Sequence, residues 1–338
     1  MEMDTDQELL EGARNAIRVC MNVRASDRVL VVTDHDTTTV GDALLHEALA
    51  TNAIAECIHL EEYGIRPLTE LPTDLERRVI SFGPSVTYLA VAAKQGEVHM
   101  RGQFIDLALG KAGARHAHMP AITPAIVREG LRVDYLMVNS LTTAVHDALR
   151  QASEVRVTSD RGSDLCGRFS GQYKWVPFGG LYHNPGQWGN LPEGEVFTCP
   201  GSLDGTLVAD VIGDYFSPKY GVLQEPVTIE FEGGYARKVT CPNRELEREL
   251  VAYLAAEENG LRAGEFAIGT NIGVKALCGI MLQDEKIPGL HVGLGYPYGD
   301  LTGATWSCDT HVDLVPSACT IYVDGTLLLK DGRFALEV

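Results

Sequence analysis

A chain of 338 residues, 45% hydrophobic and 22% charged, is long enough for about two domains and ordinary in composition for a globular protein. Its formal net charge of −18 argues against nucleic acid or an anionic membrane surface as a partner, and no stretch approaches the roughly 20 apolar residues of a spanning helix. The opening "MEMDTDQELLEGARNAIRVC" is acidic and amphipathic, the wrong pattern for export. The eight cysteines (Cys20, Cys57, Cys166, Cys199, Cys241, Cys278, Cys308 and Cys319) include no CxxC pair, which fits free thiols in a reducing compartment, so the expected location is the cytoplasm.

Strand and helix signals alternate at first. "RVLVVTD" (28–34) is a β-branched run suited to a buried parallel strand, "VGDALLHEALATNA" (40–53) has helical spacing, and "IAECIHL" (54–60) returns to strand. "VTYLAVAA" (86–93) predicts a strand, "GQFIDLALGKAG" (102–113) and "ITPAIVREGLR" (122–132) predict helices, and "DYLMVNS" (134–140) predicts another strand. From about 153 the texture changes. "EVRVTSDRGSDLCGRFSGQ" reads as paired strands about a turn. Short strands then recur in "GEVFTC", "GTLVADVIG", "VTIEFEGGYARKVT", "GLHVGLG" and "CTIYVDGTLLLKDG", interrupted by the helix "NRELERELVAYLAAEE" (243–258). The pattern predicts an α/β domain with an open, mostly parallel sheet over residues 1–152, and an α+β, largely antiparallel domain over 153–338.

The first half lacks the motifs that an α/β opening invites. No GxGxxG follows the first strand, and there is no GxxxxGK[ST] and no GxSxG. Asp34, His35 and Asp36 follow a strand where open sheets bind ligands, but read as an ordinary loop; His116 and His118 lack nearby carboxylates and read as structural.

The second half is richer. In "TWSCDTHVDLVP" (305–316) His311 and Asp313 lie two apart in a strand-like run, so both project from one face. Glu195 lies in "LPEGEVFTCPGSLDG", Glu265 in "RAGEFAIGTNIG", and Glu285 and His291 in "LQDEKIPGLHVGLGYPYG". Two imidazoles with several carboxylates are too rich in oxygen for a closed structural zinc site. They suit a catalytic site with an open position, or two divalent ions sharing a carboxylate. Their Gly- and apolar-rich surroundings are not those of solvated charges.

In this order these blocks resemble the thermophilic aminopeptidase T family of metallopeptidases. In that family a Glu before a Val-Phe-Thr strand, a Glu opening the next block, a Glu before a Gly-x-His and a final His-x-Asp build a two-metal site. The resemblance, which covers most of the chain, implies that Glu195, Glu265, His291, His311 and Asp313 are metal ligands in the second domain. It makes Glu285 an additional essential carboxylate, ligand or base. The family's tyrosine is matched by Tyr296 through its Tyr-Pro context or by Tyr298 through its spacing. "GGLYHNPGQWGNLPEGEVFT" is also similar to a segment of 2,5-dihydroxypyridine 5,6-dioxygenase, a relative using a single iron for ring cleavage. That relative keeps the His-x-Asp, but has lost the Val-Phe-Thr Glu and carries a His near the second Glu block. Here Glu195 and Glu265 are present, with Ala267 and Ile268 beside the latter, which favours the peptidase side.

The expected function is therefore a metal-dependent, aminopeptidase-like hydrolase that cleaves an amide or peptide bond of a small molecule or short peptide. Two divalent ions per chain (zinc, cobalt or manganese) would activate a water, Glu265 or Glu285 would move its proton, and Tyr296 or Tyr298 would donate to the developing oxyanion. The alternative is a mononuclear non-haem iron(II) dioxygenase opening a dihydroxypyridine-type ring, with His311, His291 or another His, and one carboxylate as its facial triad. A metal-stabilised binding protein without turnover is the third reading. A homodimer is the default assembly.

Overall fold

The computed structural model of the protein describes residues 6–336. They form two compact units: one holds the chain up to residue 136 together with 180–193, the other 137–179 together with 194 onward. In the first unit α1 (Gln7–Arg14) precedes β1 (Arg28–Thr33), α2 (Thr38–Leu49), β2 (Ile54–His59), α3 (Thr73–Phe82), β3 (Val86–Val91), α4 (Val98–Asp106), β4 (Arg115–Pro120) and α5 (Pro124–Glu129). The four strands are parallel in the order β2-β1-β3-β4. Val29 to Val32 and Val86 to Val91 are buried throughout, as expected of strands covered on both faces. α5 starts where Pro124 supplies a fixed φ and Thr123 accepts from the Ile126 N–H at 3.3 Å.

Residues 135–149 correct the sequence reading, which predicts a strand at 134–140. They form the helix α6 (Tyr135–Leu149), with Tyr135, Val138, Leu141, Val145 and Leu149 buried at spacings of three and four. A seven-residue window with four consecutive apolar residues does not separate the two periods; the full fifteen residues do. α6 also moves the unit boundary, which the sequence places after 152. Leu141, Val145 and Leu149 belong to the second unit's core.

The second unit continues with β5 (Glu154–Ser159), β6 (Asp164–Arg168) and β7 (Val176–Phe178). The chain then returns to the first unit, where β8 (Trp188–Asn190) pairs parallel beside β4. Next come β9 (Glu195–Thr198), β10 (Ser202–Ala209), β11 (Val211–Ile212), α7 (Phe216–Tyr220), β12 (Val227–Glu232), β13 (Tyr235–Thr240) and α8 (Arg244–Ala255). The remainder is β14 (Ala263–Gly269), α9 (Met281–Asp284), β15 (Gly289–Gly295), α10 (Gly299–Thr302), β16 (His311–Val315), β17 (Cys319–Val323), β18 (Thr326–Lys330) and β19 (Arg333–Phe334). Two sheets result, in the orders β13-β12-β10-β6-β5-β17-β18-β19 and β11-β16-β15-β14-β9-β7. Val196, Phe266, Ile268, Leu290, Val292, Leu294, Val312 and Leu314 of the second sheet share one core with Val155, Leu165, Leu207, Ile229 and Ile321 of the first. The fold class is that read from the sequence: a parallel α/β unit and a largely antiparallel α+β unit.

In the first unit, the crevice at the C-terminal ends of β1 and β3, where doubly wound sheets bind ligands, is filled by the protein itself. Arg66, with its side chain 2% exposed, pairs with the buried Asp34 and Glu97, and its Nε donates to Glu97 Oε1 at 2.9 Å. Burial would raise Asp34, but hydrogen bonds from Thr37, the Ala92 N–H and Arg66 outweigh it and hold the carboxyl below its usual range. Glu97 is likewise held down, with Arg66 and the Leu68 N–H overcoming burial. Asp34 is therefore structural, while His35 and Asp36 stay exposed.

All eight cysteines are free thiols, and among the described residues no helix is long and apolar enough to cross a membrane.

Candidate metal centre

The site is built on the face of the second sheet that turns away from its core. Val196 of β9, Phe266 and Ile268 of β14, Leu290, Val292 and Leu294 of β15, and Val312 and Leu314 of β16 pack into the core, so the positions that alternate with them share the opposite face. The antiparallel register places Glu195 opposite Gly269, His291 opposite Ala267, Glu265 opposite Gly293, Gly293 opposite Asp313, and Gly295 opposite His311. The face is thus a lattice of ligand-type side chains separated by glycine and alanine. A bulge at Gly264 shifts the β14 register between Ala263 and Glu265, so that Ala263 joins the core while Glu265 stays on the site face.

Five of the residues singled out in the sequence meet there. Glu195, Glu265 and His291 form one group, and Glu265, His311 and Asp313 another; within each group one ligand atom per residue lies within 4.8 Å of the others. Glu265 belongs to both. Its Oε1 is 3.7 Å from His291 Nε2 and its Oε2 is 3.2 Å from His311 Nε2. Asp313 Oδ1 is 3.0 Å from His311 Nε2, and Glu195 Oε2 is 3.5 Å from His291 Nε2. His311 Nδ1 lies 2.9 Å from the Tyr296 carbonyl. Since a carbonyl only accepts, the Nδ1–H donates to it, which leaves Nε2, aimed at the carboxylates, as the atom that would ligate a metal once its proton is displaced.

The electrostatics call for a cation. Burial would depress His291, yet Glu265, with Glu195 and Asp313 behind it, pushes it up to about 9. His311 is likewise driven well above its ordinary value, the nearby Asp313 outweighing burial. Burial would raise Glu265, but the two imidazoles beside it hold it well below the carboxylate range. Buried Glu195 Oε2 has no hydrogen-bond partner among the described residues. Three carboxylates and two imidazoles, with one carboxylate oxygen left open, fit a divalent metal ion.

The other candidates take supporting positions. Glu285 is in neither group and reaches the site through Lys286. Burial pushes its carboxyl up to about 7, with Lys286 opposing and Asp313 and Glu195 adding to the rise. The Tyr298 ring centroid is 5.0 Å from that of His311; the residue sits in the left-handed region (φ 49°, ψ 51°), a conformation that costs a non-glycine residue about 1–2 kcal/mol. Burial raises its hydroxyl well above the usual tyrosine value. Tyr296 contributes its carbonyl, with its ring 5.2 Å from Tyr298. In the first unit His116 and His118 belong to neither group; burial pushes His116 down to about 3, and its Nδ1 meets Thr87 Oγ1 at 2.8 Å, in keeping with the structural reading.

Two residues escape the sequence reading. Lys286, in "DEKIPG", is fully buried beside Glu195. Gly293, in "HVGLG", leaves the gap between His311 and Glu265: a Cβ there would lie 2.6 Å from His311 Cε1 and 2.9 Å from Glu265 Cβ. Gly293→Ala is expected to push both ligands aside and weaken metal binding by at least ~10-fold, as displaced ligand support does elsewhere. A metal titration of the variant checks this, and unchanged affinity would show that the ring can yield.

Comparisons with known proteins agree on the fold. Residues 137–262 match the family model described as NicX: 2,5-dihydroxypyridine 5,6-dioxygenase. The 2,5-dihydroxypyridine 5,6-dioxygenase of Pseudomonas putida is 28% identical over 201 residues, a match spanning 56% of this chain and 56% of the relative. The solved structure of the Pseudomonas putida 2,5-dihydroxypyridine dioxygenase aligns with a TM-score of 0.68 at 20% identity, over 97% of each chain. Wild-type AmpT (aminopeptidase T) of Thermus thermophilus aligns with a TM-score of 0.68 at 18% identity, over 98% of this chain and 99% of that one.

Proposed function

We propose that the protein is a metal-dependent enzyme that hydrolyses an amide or peptide bond in a small molecule or short peptide. The observation that carries this reading is Glu265, shared by two ligand groups that each have their own imidazole. Such a bridging carboxylate suits two divalent ions side by side, whereas a facial triad needs both imidazoles in one group. Bound divalent ions would polarise the scissile carbonyl and make water acidic enough to attack near neutral pH.

The chain's own residues supply the rest. Glu265 is committed to the ligand set, so proton transfer falls to Glu285, which keeps some exposure near the ligands and has its carboxyl raised to about 7, where a group can both take and return a proton. Tyr298, its ring beside His311 and its hydroxyl raised by burial well above the usual tyrosine value, would donate a hydrogen bond to the developing oxyanion. Tyr296 holds His311 in its ligating tautomer through its carbonyl.

A second reading, iron(II)-dependent oxygenolytic opening of a dihydroxypyridine-type ring, is the one the sequence comparisons favour, through the match over 137–262 and the 28% identical relative. Of the five ligand candidates, only Glu195 falls inside the matched 137–262. Elemental analysis combined with turnover separates the readings. Close to two equivalents of zinc, cobalt or manganese, with amine released from aminoacyl amides, supports the hydrolase. One equivalent of iron, with oxygen consumed on 2,5-dihydroxypyridine, overturns it in favour of the oxygenase.

A further inference from the structure

Lys286 is an unusual neighbour for a metal site. Its side chain is 1% exposed, and its Nζ lies 2.8 Å from Glu195 Oε1 and 2.9 Å from Glu285 Oε1. An ammonium this deeply buried persists only when paired, and here it is paired with two carboxylates. One of them, Glu195, belongs to the group formed with Glu265 and His291; the group of Glu265, His311 and Asp313 has no part in the Lys286 ion pairs that hold Glu195 and Glu285. The two halves of the site therefore differ in charge, although each offers one imidazole and Glu265.

We infer that Lys286 is a resident counter-cation that makes the two halves unequal, so that the first divalent ion settles at Glu265, His311 and Asp313 and the second binds more weakly at Glu195, Glu265 and His291. Two effects act on the Glu195 side. The ammonium draws on Oε1, so that Oε2, which has no hydrogen-bond partner among the described residues, is the oxygen freer to ligate. Its positive charge also opposes the arrival of a second cation, and in carboxylate sites affinity follows the charge supplied by the ligands. The inference rests on the metal reading above and not on the reaction catalysed. Lys286 acts through Glu195 and is a positioning residue. If orienting Glu195 were its whole task, its removal would weaken the second ion; a counter-cation predicts the opposite sign.

The test is titration of the metal-free full chain with Co2+ alone, followed by calorimetry and by the visible absorption of the bound cobalt, and repeated with Zn2+. The wild-type protein should take up two equivalents in separate phases, the second at least ~10-fold weaker. Lys286→Met, which keeps the volume and removes the charge, should tighten the second phase and narrow that gap by at least ~10-fold, and Lys286→Arg should preserve it. Glu195→Gln in the otherwise native chain should lose the weak phase and keep the tight one, which tests the assignment even if Lys286→Met does not fold. Two equal phases in the wild-type protein, or a second phase that weakens in Lys286→Met, would overturn the inference while leaving the metal reading intact. Absence of binding of Co2+ and Zn2+ by the wild-type protein would overturn both.

Discussion

Glu265→Gln is expected to strip the protein of both metal ions at once, whereas Glu195→Gln or Asp313→Asn each affects one. The reason is topological. Glu265 lies on the central strand β14, with Gly293 opposite it, and its two oxygens point to two different imidazoles, at 3.7 Å and 3.2 Å. Removing its charge deprives both groups of a carboxylate and leaves His291 and His311 without the partner that both ion pairs share. Loss of a group that merely supports a ligand costs about 10–100-fold in metal affinity. A shared ligand stands above that range, so less than one equivalent should remain after dialysis, and turnover should fall to background. Thermal melts with added metal provide an independent check, because an ion present at 100 times its dissociation constant stabilises the native state by about 2.7 kcal/mol. That increment should vanish in Glu265→Gln. A full equivalent of metal retained by the variant would show that the two groups do not share this carboxylate.

The second large effect lies in the other unit. Arg66→Met is expected to destabilise the α/β unit by about 3–5 kcal/mol, the cost of leaving a buried charge without its partner. Asp34 and Glu97 are fully buried and pair with one guanidinium, which also donates to the Ala92 carbonyl at 2.7 Å. The pH dependence should change sign. In the wild-type protein both carboxyls are held below their ordinary values, so the stability they lend is complete above about pH 4–5 and is lost as pH falls through their folded values. Without Arg66, burial dominates and raises both carboxyls, so protonation favours the folded form and the variant should gain stability between pH 7 and pH 5. Denaturant melts at the two pH values decide it. A variant that tracks the wild-type trend would mean that hydrogen bonds from Thr37, Ala92 and Leu68 suffice without the guanidinium.

Much of this protein can be read along the chain. Alternation of period two in "EFAIG", "HVGLG" and "HVDLV" marks strands with one apolar face and turns Glu265, His291, His311 and Asp313 to the other; in "EVFT" the buried Val196 beside Glu195 does the same for that residue. The change from βα alternation to short paired strands separates the two fold classes, although the boundary itself was hidden. The seven residues 134–140, with a run of only four apolar side chains from Tyr135 to Val138, satisfy a strand and a helix equally well, and the membership of α6 in the second unit depends on which core buries Leu141, Val145 and Leu149.

What the tertiary structure alone decided is pairing. Glu265 and Glu195 are 70 positions apart, and their membership of one group follows from β14 lying between β9 and β15 in the sheet. The choice of Tyr298 as the ring beside His311 and of Tyr296 as its carbonyl acceptor depends on how the chain leaves β15. Gly293 matters because strands on either side bring His311 and Glu265 within contact of the space its missing side chain would fill. Lys286, an ordinary charged residue in the sequence, becomes a buried ammonium between two carboxylates only when α9 and β9 come together. Local physics sets which face a side chain takes; which residues then meet across that face depends on strand order and register, and these are settled by the packing of the whole sheet against its core.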